Sequence, residues 1–147
     1  MTTLYETDLA AWVHEQIELL KTGQFDKIDM ENFIDEVEGV VRTDKRSMKS
    51  HFVIMIAHIL KWEYQPSKRS GSWLASINNA RYEIEAVIQD SPSLKNYKEF
   101  AFGLAWEQAR KLAIQETGLP SKDFPKCCPW TCNQAMKLKC DRDDLNK

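Results

Sequence analysis

Apolar residues recur every three or four positions along most of this chain, which is the spacing that places side chains on one face of an α-helix. The first such stripe consists of Leu9, Trp12, Val13, Ile17 and Leu20. Thr7 or Asp8 can cap this helix at its start, and Gly23 can end it in a left-handed conformation. Strict alternation of apolar and polar residues, which is typical of strands, is hard to find. The pattern therefore predicts an all-α protein.

A second stripe begins after Asp29, which can cap a long helix. Its apolar positions are Phe33, Val37, Val40, Val41, Met48, Phe52, Met55, Ile56, Ile59 and Trp62. Pro66 forbids continuation, so the spacing predicts one helix over residues 30–64. Such a helix would be on the order of 50 Å long, against a radius of gyration of about 15 Å for a compact chain of this size. Either it breaks near residues 39–44, or one end projects and needs a partner.

Three further helices follow the long one. The first begins after Ser70, Gly71 and Ser72 and ends at Asp90, and the next begins with Ser91 as cap and Pro92 in its first turn. Gly118 and Pro120 end that helix. Its apolar face is rich in small residues and carries Leu94, Tyr97, Phe100, Ala101, Leu104, Ala105, Leu112 and Ala113. Thr131 and Gln134 have the spacing of a capping box for a last short helix. We expect a single-domain bundle of about five helices over residues 1–147, with a core at 4–138 and a frayed tail at 139–147.

Composition is consistent with one globular domain. Of 147 residues, 43% are hydrophobic and 29% are charged, which argues against disorder and low-complexity structure. Five glycines and five prolines are too few for a many-turned β-sandwich. The formal charge of -2 and the isoelectric point near 5.9 give no overall attraction to nucleic acid or to anionic membranes.

The apolar segments are too short for a membrane span. The longest covers residues 52–60, where His58 interrupts it, whereas a span needs about twenty apolar residues. The N-terminus is acidic and lacks the positive and apolar regions of a signal peptide. We therefore expect a cytoplasmic protein without a membrane partner, with its cysteines mostly reduced.

Several distinctive blocks of residues occur in a fixed order along the chain. They are Leu60-Lys61-Trp62, Tyr64-Gln65-Pro66, Arg69-Ser70, Ser72-Trp73, Asp90-Ser91-Pro92-Ser93-Leu94, Glu116, Gly118-Leu119, Phe124-Pro125 and Cys128-Pro129-Trp130. With these blocks the chain resembles, over residues 4–138, the bacterial family called domain of unknown function 29. The resemblance implies an all-helical cytoplasmic protein, from a family widespread in cyanobacteria and proteobacteria, without an assigned activity or catalytic residues. Its structural signature consists of Trp62, Pro66, Trp73, Pro92, Cys128 and Trp130.

Four cysteines close together raise the question of a metal site. Cys128, Cys132 and Cys140, with Cys127, could supply thiolates to zinc. Their spacing lacks the paired Cys-x2-Cys arrangement of structural zinc sites, and Cys127, Cys132 and Cys140 depart from the family's single cysteine. We expect ordinary reduced thiols, no metal and no cofactor, and we expect Cys128 to pack beside Trp130.

Arg46 and His51 are weak candidates for catalysis. Their spacing matches the loose pattern of HEPN-type ribonucleases, although chance matches to that pattern are frequent. His51 and His58 lie seven residues apart, which is too far for one metal site on a helix without a third ligand. We expect His58 to be a core histidine that is hydrogen-bonded to a backbone or carboxylate group.

Charge is distributed unevenly along the chain. Residues 1–40 contain ten acids and two bases, whereas residues 41–81 contain two acids and eight bases. Lys68, Arg69, Ser70 and Ser72 could bind an anion at a helix N-terminus. The alternative, which the sequence favours, is ion pairing within the bundle or across a dimer, with Arg69 bonded to a carboxylate of the acidic stretch.

The sequence favours a non-enzymatic protein-interaction or regulatory module, acting with a protein partner or as a homodimer. A nucleophile beside a base, a metal-ligand spacing and a glycine-rich phosphate loop are all missing from the sequence. Two alternatives stay open. One is a nucleic-acid-binding protein or HEPN-like ribonuclease using the basic stretch 42–69, and the other is a metal or redox module at the cysteines.

Overall fold

The computed structural model describes residues 1–145. Across these residues it contains six α-helices and no strand, which confirms the all-α prediction. The helices are α1 (Leu4–Thr7), α2 (Leu9–Lys21), α3 (Met30–Tyr64), α4 (Gly71–Asp90), α5 (Lys98–Thr117) and α6 (Cys132–Lys137). Short 3₁₀ turns lie at Phe25–Lys27, Pro66–Lys68, Pro92–Tyr97, Ser121–Asp123 and Arg142–Asp144. None of the helices within 1–145 is long and apolar enough to cross a membrane.

Helix α3 is continuous over its 35 residues, as the apolar spacing predicts. The alternative of a break near residues 39–44 is wrong. Gly39 costs a helix interior about 1 kcal/mol relative to alanine. Arg42 reaches back across this turn, because its Nη2 donates to the carbonyl oxygen of Asp35 at 3.0 Å and its Nη1 lies 3.6 Å from Glu38 Oε2. Such bridges support the helix at its weakest position.

The chain divides into two compact units, with the boundary between Thr43 and Asp44 inside α3. The first unit comprises α1, α2 and the beginning of α3. Its buried residues are Trp12 and Gln16. The second unit contains the other buried residues, which come from α3, α4, α5, α6 and the connections between them. The single domain expected over residues 1–147 stays a prediction.

The core of the second unit is built on the apolar stripe of α3. Met48, Phe52, Met55, Ile56, Ile59 and Trp62 are all buried, as their spacing predicts. Helix α5 contributes alanines four residues apart, at positions 101, 105, 109 and 113, and this stripe permits close helix packing. Phe100 and Leu104, which were expected on the same face, are exposed. That part of the prediction is wrong because the buried face of α5 consists mainly of small residues.

Most helix ends follow the residues that predict them. Asp8 accepts from the backbone N–H of Ala11, as predicted. Helix α4 begins at Gly71, two residues before its predicted start, and Ser70 caps it by accepting from the backbone N–H of Trp73. Gly118 adopts a φ of 69° after α5, and Thr131 with Gln134 forms a complete capping box. The predicted start of α5 is wrong: Pro92 opens a 3₁₀ turn that buries Leu94, and the α-helix begins at Lys98.

The two ends of the chain differ from expectation. The sequence analysis missed α1, although Thr3 and Glu6 have the spacing of a capping box, and the structure forms it. At the other end, the tail expected to fray contains a 3₁₀ turn, and Leu145 packs against the core. The last two residues of that tail, 146–147, lie outside the described residues.

Candidate docking groove

Helix α2 and the first half of α3 bound a groove of about 300 Å³ in the first unit. Its lining consists of Trp12, Val13, Gln16, Ile17, Phe33, Glu36, Val37 and Val40. Gln16 and Glu36 are the polar members of this set. The groove is therefore an apolar surface with one carboxylate on its wall, and we call it the hairpin groove.

Hydrogen bonds to Asp29 hold the floor of the hairpin groove in place. Trp12 is 4% exposed, and its Nε1 donates to Asp29 Oδ2 at 3.2 Å. Gln16, equally buried, accepts the backbone N–H of Asp29 at 2.9 Å. Asn32 Nδ2 donates to Asp29 Oδ2 at 2.8 Å. The hydrogen bonds from Asn32 and Trp12 hold the pKa of Asp29 below its usual range, although partial desolvation acts the other way.

Tyr5 contacts two of the residues that line the groove, Glu36 and Trp12. Its hydroxyl donates to Glu36 Oε1 at 2.6 Å, and its ring packs edge-on against Trp12 with the ring centroids 4.9 Å apart. The hydrogen bond to Glu36 raises the pKa of Tyr5 to about 12. Sequence reasoning did not find this contact, because it joins residues 31 positions apart. The only local signal was the Thr3–Glu6 capping box that positions Tyr5.

The apolar walls of the hairpin groove are exposed to solvent. Val37 is 56% exposed and Val40 is 64% exposed, and Val13 and Ile17 on α2 are exposed as well. The stripes continue beyond the groove with further exposed side chains, namely Leu9 and Leu20 on α2 and Met30 and Val41 on α3. Contiguous exposed apolar surface of this kind marks interaction sites, whereas single exposed apolar residues are ordinary.

The weak catalytic candidates lie on α3 but are not joined. Arg46 is exposed and His51 is half-buried. They are five positions apart, which turns their side chains about 140° apart around the helix. Neither side chain takes part in a hydrogen bond or ion pair among residues 1–145. Their catalytic role stays a prediction.

His58 makes the backbone hydrogen bond that the sequence predicts, but it is half-buried and does not belong to the core. Its Nδ1 lies 2.8 Å from the carbonyl oxygen of Ile54, one turn earlier in α3. Burial lowers the pKa of His58, while the contact with Ile54 acts in the opposite direction. The imidazole is therefore held mainly in its neutral form at neutral pH.

The four candidates for anion binding have separate roles in the structure. Arg69 Nε donates to the carbonyl oxygen of Trp62 at 2.8 Å, and its guanidinium stacks on the Trp62 ring, 5.0 Å from the centroid. These contacts of Arg69 lie within the second unit, and its bond to a carboxylate of the acidic stretch stays a prediction. Ser70 caps α4, whereas Lys68 and Ser72 are exposed. Anion binding by these residues stays a prediction.

The cysteines differ in burial and do not form a metal cluster. Cys127 is exposed, Cys128 and Cys140 are half-buried and Cys132 is buried. Within residues 1–145 no group of three potential ligands could hold a metal ion. Cys128 Sγ donates to the backbone carbonyl oxygen of Trp130 at 3.3 Å. Burial raises the pKa of Cys132 to about 11, which leaves it a thiol at neutral pH.

The signature tryptophans are packing residues. Trp62 is buried, and Trp73 and Trp130 are half-buried against the core. Pro66 and Pro92 each open a 3₁₀ turn immediately after a long helix. Trp106 is buried as well. These positions stabilise the second unit and contribute nothing to the hairpin groove.

The fold and the groove together define a class of protein: an all-α chain whose N-terminal helical hairpin exposes an apolar groove. The chain belongs to the family described as Domain of unknown function DUF29, whose model matches residues 4–140. The resemblance seen in the sequence is thereby confirmed. No curated protein and no solved structure matches the chain.

Proposed function

We propose that the chain is a protein-interaction module whose hairpin groove docks the apolar face of a helix from a partner protein. The observation that carries this proposal is the exposure of Val13, Ile17, Val37 and Val40 around a floor that is already hydrogen-bonded. Two helices that expose facing apolar stripes complete a bundle when a further helix covers them. The proposed role is binding and not catalysis.

Burying the exposed apolar side chains of the groove favours binding of a partner helix. Fully burying a valine or isoleucine side chain contributes about 1.5–3 kcal/mol, so covering four half-exposed ones contributes about 3–6 kcal/mol before the costs of association. The floor needs little reorganisation, because Asp29 already fixes Trp12 and Gln16. A preformed groove loses less conformational entropy on binding than a flexible one.

The test uses a synthetic helical peptide of about five turns, with leucines at i, i+3, i+4 and i+7 spacing and neutral glutamine flanks. Titration calorimetry measures its binding to the full chain. We expect Val37→Asn, which places a polar group in the groove wall, to weaken binding by about tenfold or more. The matched control is Ile34→Asn, because Ile34 is 48% exposed on the same helix but does not line the groove. Absence of binding, or equal losses in both variants, would contradict the proposal.

A further inference from the structure

The unit that carries the hairpin groove is strongly acidic. Residues 1–43 contain ten acidic and three basic residues, a formal balance of -7, whereas the whole chain has a balance of only -2. The acid excess therefore belongs to the first unit and is not a general property of the protein. It coincides with the exposed apolar stripes.

Much of this negative charge is not neutralised within the unit. Arg42 is shared between Asp35 and Glu38, and Lys21 lies near Glu18. Glu15, Asp26, Glu31 and Glu36 form no ion pair among the described residues, and Glu36 stands in the groove wall with Tyr5 as its hydrogen-bond donor. A ligand in the groove therefore meets an apolar surface next to a carboxylate, in the negative field of the unit.

We infer that the partner helix is amphipathic and carries lysine or arginine along the flanks of its apolar stripe, and that it comes from a protein other than this chain. This inference rests on the proposed function and specifies the partner of the same groove. Basic flanks meet the negative field favourably and bring one cation close to Glu36. If the groove of a second copy lay on this groove, another unit with a balance of -7 would meet the first, so charge opposes groove-to-groove self-association.

Three peptides with one leucine stripe test this inference. Their flanking positions are all lysine, all glutamine or all glutamate. We expect the lysine peptide to bind at least about tenfold more tightly than the glutamine peptide at about 50 mM salt, and the glutamate peptide to bind most weakly. The difference should shrink at about 500 mM salt, because salt screens interactions between exposed charges.

Substitutions of single carboxylates show which residue causes the preference for lysine flanks. Glu36→Gln should weaken the binding of the lysine peptide about threefold or more and leave the affinity of the glutamine peptide nearly unchanged. Glu107→Gln is the matched control, because it removes one exposed carboxylate from α5 in the second unit and changes the net charge equally. Equal effects of the two variants on the lysine peptide would overturn the role of Glu36 in the inference.

The outcomes separate the inference from the proposed function. If lysine and glutamine peptides bind equally, the groove docks a helix but the basic partner is wrong. If no peptide binds, both proposals fail. Sedimentation of the chain alone gives the remaining outcome: a dimer that Val37→Asn dissociates and Ile34→Asn does not would make a second copy the occupant and overturn the basic partner.

Discussion

The hydroxyl of Tyr5 donates a 2.6 Å hydrogen bond to Glu36 Oε1 and thereby joins α1 to α3. The same tyrosine ring packs against Trp12 of α2, so one side chain contacts both helices that bound the hairpin groove. Helix α1 has four residues and no buried one. A helix this short is not stable by itself, so these contacts of Tyr5 hold it against the unit.

The ionisation of Tyr5 reports directly on this hydrogen bond. Ionising the phenol removes the donor and places two negative charges side by side, which raises its pKa to about 12. Because the folded pKa lies above the unfolded value of about 10, the stabilisation is present below about pH 10 and is lost as the pH rises toward 12. We expect Glu36→Gln to lower the pKa of Tyr5. The measurement is an absorbance titration with pH, and the signal of Tyr5 is the part of it that Tyr5→Phe removes. An unchanged titration in Glu36→Gln would show that Glu36 does not control the phenol.

The carboxylate of Asp29 organises the groove floor, and its pKa is held low by Asn32 first and by Trp12. The stabilisation is therefore present above the unfolded pKa of about 4 and is lost as the pH falls through the lower folded value. We expect Asp29→Asn to lower the thermal midpoint at pH 7, with the difference from the native chain shrinking below about pH 4. Thermal unfolding across this pH range measures the difference in thermal midpoint between the two chains. A difference that does not depend on pH would contradict the prediction.

Lys61 and Glu116 form an ion pair in the second unit, and the two side chains differ in burial. The lysine side chain is 8% exposed and the glutamate 40%, and Lys61 Nζ lies 2.6 Å from Glu116 Oε2 and 4.7 Å from the Trp73 ring centroid. Glu116→Gln leaves a buried ammonium without its counter-charge, so we expect a loss of about 1–3 kcal/mol in the free energy of unfolding. Lys61→Met should cost less, because the apolar side chain removes the buried charge itself. Urea unfolding compares the variants, and the opposite order would refute this account.

Trp130 anchors the last helix to the core of the second unit. It is half-buried, and α6 is also tied to α4 through Arg81 Nη2, which donates to the carbonyl oxygens of Ala135 and Leu138 at 2.8 Å. We expect Trp130→Ala to increase amide hydrogen exchange in α6 about tenfold or more and to leave α4 nearly unchanged. Unaltered exchange in α6 would mean that Arg81 alone holds it.

Prediction from the sequence succeeded for features that depend on residues close together in the chain. The caps Asp8 and Thr131 and the terminator Gly118 act on backbone groups within about four residues, so their identity and spacing suffice. It failed at Pro92, where the choice between a 3₁₀ turn and an α-helix depends on burying Leu94. It also missed the contact between Tyr5 and Glu36, for which no local pattern exists.

Val37 and Phe52 both belong to the same apolar stripe of α3, but they differ in burial. This pair shows most clearly which features the sequence predicts and which depend on the fold. The sequence by itself determined that stripe, the helix that carries it and the surplus of acids around its beginning. Only the tertiary structure decided that Phe52 is buried and that Val37 is exposed beside a hydrogen-bonded floor. The physical reason is that periodicity specifies which face of a helix is apolar, whereas burial depends on residues distant in sequence that come to cover that face.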